Sequence, residues 1–158
     1  MAFLNARDTI SGQEGTAYAM IPNASGKMDS EEMFYVKKLE AKVEKEKTDI
    51  KTLGRRGTQH KANGWKGTGS MTIYYVTSVF RQMMYEYIDS GKDIYFDIKV
   101  TNDDPASTAG KQTVVLKNVN LDSVIMASLD TDSTALEEEV SFTFDGVEIK
   151  DPFTVLKK

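Results

Sequence analysis

Phe34-Tyr-Val-Lys-Lys-Leu-Glu-Ala-Lys-Val-Glu-Lys-Glu-Lys-Thr-Asp-Ile50 and Trp65-Lys-Gly-Thr-Gly-Ser-Met-Thr-Ile-Tyr-Tyr-Val76 decide how this chain folds. In the first arm Leu39, Ala41 and Val43 alternate with Lys38, Glu40, Lys42 and Glu44, the period of two that gives a strand one buried face. In the second, Met71, Ile73 and Tyr75 alternate with Ser70, Thr72 and Tyr74, and the β-branched and aromatic residues suit a pleated surface. The arms predict a long two-stranded ribbon over 33–76. Helix competes over 36–50, because Val36, Leu39, Val43 and Ile50 also stand at helical spacings and Lys, Glu, Ala and Leu favour helix; periodicity alone leaves that choice open. Strand is the preferred reading. A coiled coil would need an apolar residue where Glu46 sits and more heptads than the segment offers. The slip of phase between Val36 and Leu39 then implies a β-bulge.

Between the arms, Leu53-Gly-Arg-Arg-Gly-Thr-Gln-His-Lys-Ala-Asn-Gly-Trp65 reads as a loop of a length that is usually functional or disordered. Residues 37–66 carry ten basic and four acidic side chains, and 121–158 carry three basic and nine acidic, so a formal net charge of −4 conceals opposite ends. Opposite patches on one small protein favour head-to-tail contact between copies, which generates rings or filaments. Two solvated faces would look the same.

Outward from the ribbon, residues 1–14 are small and polar and predict a flexible arm. Thr16 to Ile21 reads as a strand closed by the turn residues of 22–26. After the ribbon, Ser78 suits a helix N-cap, Phe80, Met83, Met84, Tyr87 and Ile88 recur at helical spacing as a core stripe, and Gly91 suits the C-terminal stop. Asp93 to Thr101 alternates strictly, with Ile94, Phe96, Ile98 and Val100 on one face. Residues 102–110 are a polar loop. Thr113 to Leu116 and Asn120 to Leu129 read as strands, and Glu138 to Phe144 is expected to turn at Asp145-Gly146 into Val147 to Ile149 as a hairpin. Roughly seven antiparallel strands and one helix over 1–158 predict a single, mainly β domain, a sandwich or barrel.

Composition narrows the chemistry. The 158 residues include no cysteine, which excludes disulfides, thiolate metal sites and thiol nucleophiles, and a single histidine, His60. The opening residues lack the basic stretch and apolar core of an export signal, and no run has the roughly 18 apolar residues of a membrane span. Neither a membrane partner nor a cofactor is expected. His60 sits beside Lys61 without a nucleophile context, and Glu137, Glu138 and Glu139 alternate across a strand, which reads as a solvated strand end rather than an acid/base pair. Residues 130–141 open like a calcium loop, but Ala135 stands where glycine is needed and Ser141 where glutamate is needed, so no metal site is assigned. Gly64, Gly67 and Gly69 are spaced in reverse of a dinucleotide loop and lead into a strand; they fit close backbone approach or a bend where the ribbon begins. An enzyme is not expected. The alternative with specific residues is a small β-barrel nucleic-acid-binding module using Lys51, Arg55, Arg56, Lys61 and Lys66 with Trp65 for stacking, against which stands a pI of about 5.1.

Leu53-Gly-Arg-Arg-Gly57, Gln59-His-Lys-Ala-Asn-Gly-Trp-Lys-Gly-Thr-Gly-Ser-Met-Thr72, Thr77-Ser-Val-Phe-Arg81 and Phe142-Thr-Phe144 resemble the tail tube proteins of contractile bacteriophages and of defective, tail-like prophage particles, over nearly the whole chain. The resemblance implies a non-enzymatic structural subunit, a β-sandwich or barrel with one flanking helix, assembling into stacked hexameric rings that form a hollow tube inside a contractile sheath. It implies sheath, baseplate and tail terminator proteins as partners, DNA as no more than transient cargo, and a place in a virion or phage-like particle tail assembled in the host cytoplasm. By the same likeness the 53–65 loop, with Leu53, Arg55, Arg56, His60, Lys61 and Trp65, and the N-terminal arm would bridge rings. Glu40, Lys42, Glu44 and Glu46 are the candidates for the bore, where carboxylates would repel phosphate rather than stall it. The tip over 22–27 is longer than expected for this family.

Overall fold

The structure, a computed structural model, describes residues 4–22, 28–32 and 36–154. Eight strands and one α-helix are formed among them: β1 (Gly15–Pro22), β2 (Met28–Glu32), β3 (Val36–Ile50), β4 (Gln59–Tyr74), α1 (Val79–Ser90), β5 (Phe96–Asp103), β6 (Lys111–Ser123), β7 (Glu137–Phe144) and β8 (Gly146–Asp151). All described pairings are antiparallel, in the order β2-β1-β5-β6-β7-β4-β3, with β8 also on β6. The sheet curls into a half-barrel. The β fold with one helix is as the sequence predicts. Strand β2 went unread in the sequence, and the turn over 23–27 lies outside the described residues.

The curl originates in β6. Its first half pairs with β5 and β8, and its second half with β7. Asn118 between them takes a left-handed φ of 53°, a conformation that asparagine tolerates and most residues avoid. Its N–H donates to Asp97 Oδ1 (3.1 Å) and its Nδ2 to Asp145 Oδ1 (2.9 Å). That anchored kink corrects two expectations. Thr113–Leu116 and Asn120–Leu129 are not two strands: one strand runs through the kink and stops at Ser123. Asp145-Gly146 is not a hairpin turn either. Thr143 faces Asn120 and Gly146 faces Lys117, so β7 and β8 continue in one direction along the same edge of β6, and Asp145 is the bulge between them. A hairpin requires the flanking segments to pair with each other, whereas here both pair with β6.

Alternation along these strands fills the concave face with Phe96, Ile98, Leu116, Val119, Val140, Phe142, Met71 and Ile73, all buried. Helix α1 lies across it. Phe80 packs on Phe96 with ring centroids 6.1 Å apart, and Met83 is buried beside it. The helix ends on Gly91, whose φ of 74° lets its N–H reach the Tyr87 carbonyl (2.9 Å). Ser78 is the N-cap residue, but its side chain makes no capping bond; Thr77 Oγ1 accepts the Val79 N–H at 3.4 Å instead. The expected core stripe is shorter than its periodicity: Phe80 and Met83 are buried and Met84 half-buried, while Tyr87 and Ile88 are exposed.

The described part of the N-terminal arm makes several contacts with the loop after β5. Residues Ala6–Asp8 form a 3-10 turn, Ser11 donates its N–H to Asp104 Oδ2 (2.8 Å), Thr108 donates its N–H to the Arg7 carbonyl (3.2 Å), and the Thr108 hydroxyl bonds Asp8. Buried Asp104 accepts a second N–H, from Ala106 at 2.9 Å, so one carboxylate ties the arm and the following loop together. Small polar residues carry little hydrophobic signal, which is why this docking is invisible in composition.

Candidate assembly interface

The ribbon is strand throughout, which settles 36–50 against helix. Its register slips at Val36/Lys38, the bulge implied by the phase shift, and again at Glu46/Lys47, where Asn63 is extruded and donates to Thr48 Oγ1 at 2.8 Å. Gly67 to Tyr74 of β4 also pair with β7, whereas Gln59 to Lys66 pair with β3 alone. The ribbon therefore leaves the sheet at Gly67. Every residue from Glu40 to Lys66 is exposed.

Glycines make this junction. A Cβ on Gly67 would lie 2.4 Å from the Phe144 ring, and one on Gly69 would lie 2.4 Å from the Phe142 ring and 2.9 Å from the Glu40 carbonyl. Two phenylalanines thus lie over the β4 backbone where side chains are missing, as the sequence reading of close approach requires. Gly64 has a different role, since its nearest neighbour is the Glu46 carboxylate at 3.5 Å.

The six loop residues do not form one group. The connection between arms spans only 51–58, and His60, Lys61 and Trp65 belong to β4, because 59–64 continue the ladder with Glu46 to Ile50. Glycine and polar residues there resemble a loop but are paired along their full length. Leu53, Arg55 and Arg56 lie at the tip, with Leu53 fully exposed. His60 Nδ1 contacts Asp49 Oδ1 at 2.7 Å. Lys61 faces Thr48 and so projects from the opposite side. Trp65 tilts towards Phe144, centroids 6.4 Å apart, and stays 44% exposed.

Glu40, Lys42, Glu44 and Glu46 share the face turned away from the core, as period two requires. Lys66 faces Glu44 across the ribbon, with 4.0 Å between charges, so this face is mixed rather than uniformly acidic. At the ribbon's base, Lys37 Nζ reaches Glu137 Oε1 at 2.8 Å, and that hydrogen bond and charge push the Lys37 ammonium pKa up.

A second constellation was missed in the sequence. Glu138 is 1% exposed rather than part of a solvated strand end. Its Oε2 accepts from Arg81 Nη1 at 2.7 Å; Arg81 also donates to the Thr77 carbonyl, and its guanidinium lies 4.2 Å from the Tyr75 ring centroid. Arg81 thereby fastens the first turn of α1 to β7 and to the end of β4. The one available signal was the pairing of a basic residue on the helix with three carboxylates in an apolar strand. Burial pushes the Glu138 carboxyl above the ordinary glutamate value of 4.5, against the charge and hydrogen bond of Arg81, which pull it down. A raised folded-state value means stability from this group is fully present below 4.5 and is lost as pH rises through the folded-state pKa. The stability difference between the natural subunit and Glu138→Gln is therefore expected to fall as pH is raised from about 4 to about 8, read from urea unfolding midpoints; a difference that grows with pH would contradict it.

No group of His, Asp or Glu among the described residues is arranged to hold a metal, and no described helix is long and apolar enough to cross a membrane. The geometry is that of a protruding ribbon and open sheet edges.

A family model described as "Phage tail tube protein" matches residues 2–151. The chain belongs to the phage tail tube protein family. It is 45% identical over 146 residues to the phage-like element PBSX protein XkdM of Bacillus subtilis (strain 168), covering 92% of this chain and 93% of that relative. Its fold is similar to a chain of the PVC sheath–tube complex of an extracellular contractile injection system in the extended state, with a TM-score of 0.60 at 12% identity over 90% and 91% of the two chains. It is also similar to the SPP1 tail tube, with a TM-score of 0.61 at 13% identity over 89% of this chain and 78% of that one. The tail tube protein is thus a tail tube subunit of a phage or phage-like particle.

Proposed function

We propose that this tail tube protein has no catalytic role and assembles into hexameric rings that stack into a hollow conduit inside a contractile sheath, built in the host cytoplasm, with baseplate and terminator proteins at its ends. The observation that carries this reading is the fully exposed ribbon from Glu40 to Lys66, ending a sheet whose terminal strands, β3 and β2, have no second partner among the described residues. Unpaired edges template association with another chain. Lys and Glu alternate along β3, a composition that discourages promiscuous pairing and admits a partner of matching charge. The sheath–tube complex of the similar injection system supports a sheath as outer partner.

In this reading Glu40, Lys42, Glu44 and Glu46 face the bore, and DNA, where carried, passes as unspecific cargo. Tip residues Leu53, Arg55 and Arg56 bridge rings, while His60, Lys61 and Trp65 contact neighbours from the flanks of the ribbon. Electron micrographs of concentrated protein are expected to contain rings and tubes, and Arg55→Glu with Arg56→Glu is expected to leave rings but suppress stacking by at least about tenfold in the concentration required. Monomers alone at every salt and protein concentration would sink the reading. Tubes of the charge-reversed protein at unchanged concentration would remove the tip from the inter-ring contact.

A further inference from the structure

Beside α1 lies a cavity of about 280 Å³ whose apolar wall is Met83, Met84, Tyr87, Ile94 and Leu121. Its polar rim carries two carboxylates: Asp93, which accepts from Asn120 Nδ2 at 2.8 Å, and exposed Asp122. At the tip of the ribbon, Leu53 is fully exposed beside Gly54, which turns the chain with a φ of 81°. Lys51, Arg55 and Arg56 surround it, and none of the three makes an ion pair among the described residues. An apolar knob within cations and a hole with one apolar wall and carboxylates at its rim are complements in shape class and in sign.

They cannot meet within one molecule. Leu121 pairs with Phe142 and Phe142 with Gly69, so the cavity lies level with Gly69, whereas the tip follows Gln59 at the far end of β4. Ten strand residues separate those levels, about 33 Å at 3.3 Å per residue. Complementary surfaces displaced along one strand, rather than facing each other across a two-fold axis, make a heterologous contact that repeats from copy to copy.

We infer that the ribbon tip of one copy seats in the α1 cavity of the next, Leu53 entering among Met83, Met84 and Tyr87 while Arg55 and Arg56 meet Asp93 and Asp122. The inference rests on the proposed stacking and adds the site that receives the tip. Unbranched methionine side chains let such a hole close around an incoming leucine. It also accounts for the exposure of Tyr87 at the end of the helical stripe.

The natural chain has no cysteine, so introduced thiols report without background. Full-length Leu53→Cys is mixed with Asp122→Cys under assembling conditions and oxidised; both positions are exposed, and unchanged unfolding midpoints verify that each variant folds. A covalent dimer from the mixture and a ladder from the double variant are expected, while Leu53→Cys with Lys42→Cys gives neither. Leu53→Asp is expected to raise the concentration needed for stacking by more than about tenfold, and Asp93→Lys with Asp122→Lys to do the same. Mixing that last protein with Arg55→Glu, Arg56→Glu is expected to restore co-assembly. Tubes that form normally without the 53–122 cross-link, or Leu53→Cys that links to Lys42→Cys as readily as to Asp122→Cys, overturn the socket and leave the tube reading standing. Natural protein that forms no rings or tubes overturns both.

Discussion

Replacing Arg81 with methionine is expected to lower the unfolding free energy of the isolated subunit by about 3–5 kcal/mol, because it strands the Glu138 carboxylate in a buried site. Arg81 is 13% exposed at its side chain and Glu138 1%, so solvent can rescue little of the lost pairing. The second oxygen of Glu138 already has no hydrogen-bond partner among the described residues, which leaves Arg81 as the group that makes this carboxylate tolerable. Arg81→Met with Glu138→Leu is expected to recover most of the loss, since an apolar pair of similar volume replaces both charges at once. Urea unfolding of the three proteins at neutral pH measures this. A single substitution costing under about 1 kcal/mol, or a double as unstable as the single, would show that the pair does not anchor the helix.

Gly69→Leu is expected to be comparably damaging, by about 3 kcal/mol or more, since overpacking a filled core forces side chains off their rotamers and displaces backbone. The side chain would enter the space of the fully buried Phe142 ring and press on the Glu40 carbonyl, so neither neighbour can yield without separating β3 from β4. Alanine at the three ribbon glycines gives a graded test. Gly69→Ala should cost most, Gly67→Ala less because Phe144 lies nearer the surface, and Gly64→Ala close to nothing. Thermal melts in which Gly64→Ala proves worst would refute the packing account of the junction.

Much of this architecture was legible in residue order. Period two in Leu39, Ala41, Val43 and in Met71, Ile73 gave the ribbon, and the phase slip after Val36 gave its bulge, because both follow from which face each side chain occupies. The same logic placed Glu40, Lys42, Glu44 and Glu46 together. What escaped it depends on partners distant in sequence. Asp145-Gly146 carries the local chemistry of a hairpin, yet Asn118, 27 residues earlier, supplies a matching kink and holds the chain on β6. His60, Lys61 and Trp65 read as loop because glycine and asparagine surround them, although pairing with Glu46 to Ile50 overrides that preference. Glu138 looked like one of three solvated carboxylates until Arg81, 57 residues away, came to lie beside it. For the proposed interface residues, sequence identified the charge of the tip but not the acid-rimmed cavity, which is assembled from α1, the segment after it and β6.

Beyond Gly67 the ribbon pairs only with itself among the described residues, two strands without a buried side chain whose aromatic contact with the sheet is Trp65 against Phe144. Amide hydrogens there are held by a ladder that opens at little free energy, whereas those of Val140 and Phe142 exchange only when the whole subunit comes apart. A free subunit is accordingly graded along β4, yielding at one end and rigid at the other. If copies stack as proposed, growth of a tube converts a pliant arm into a fixed strut one copy at a time, so that stiffness belongs to the polymer and not to its building block.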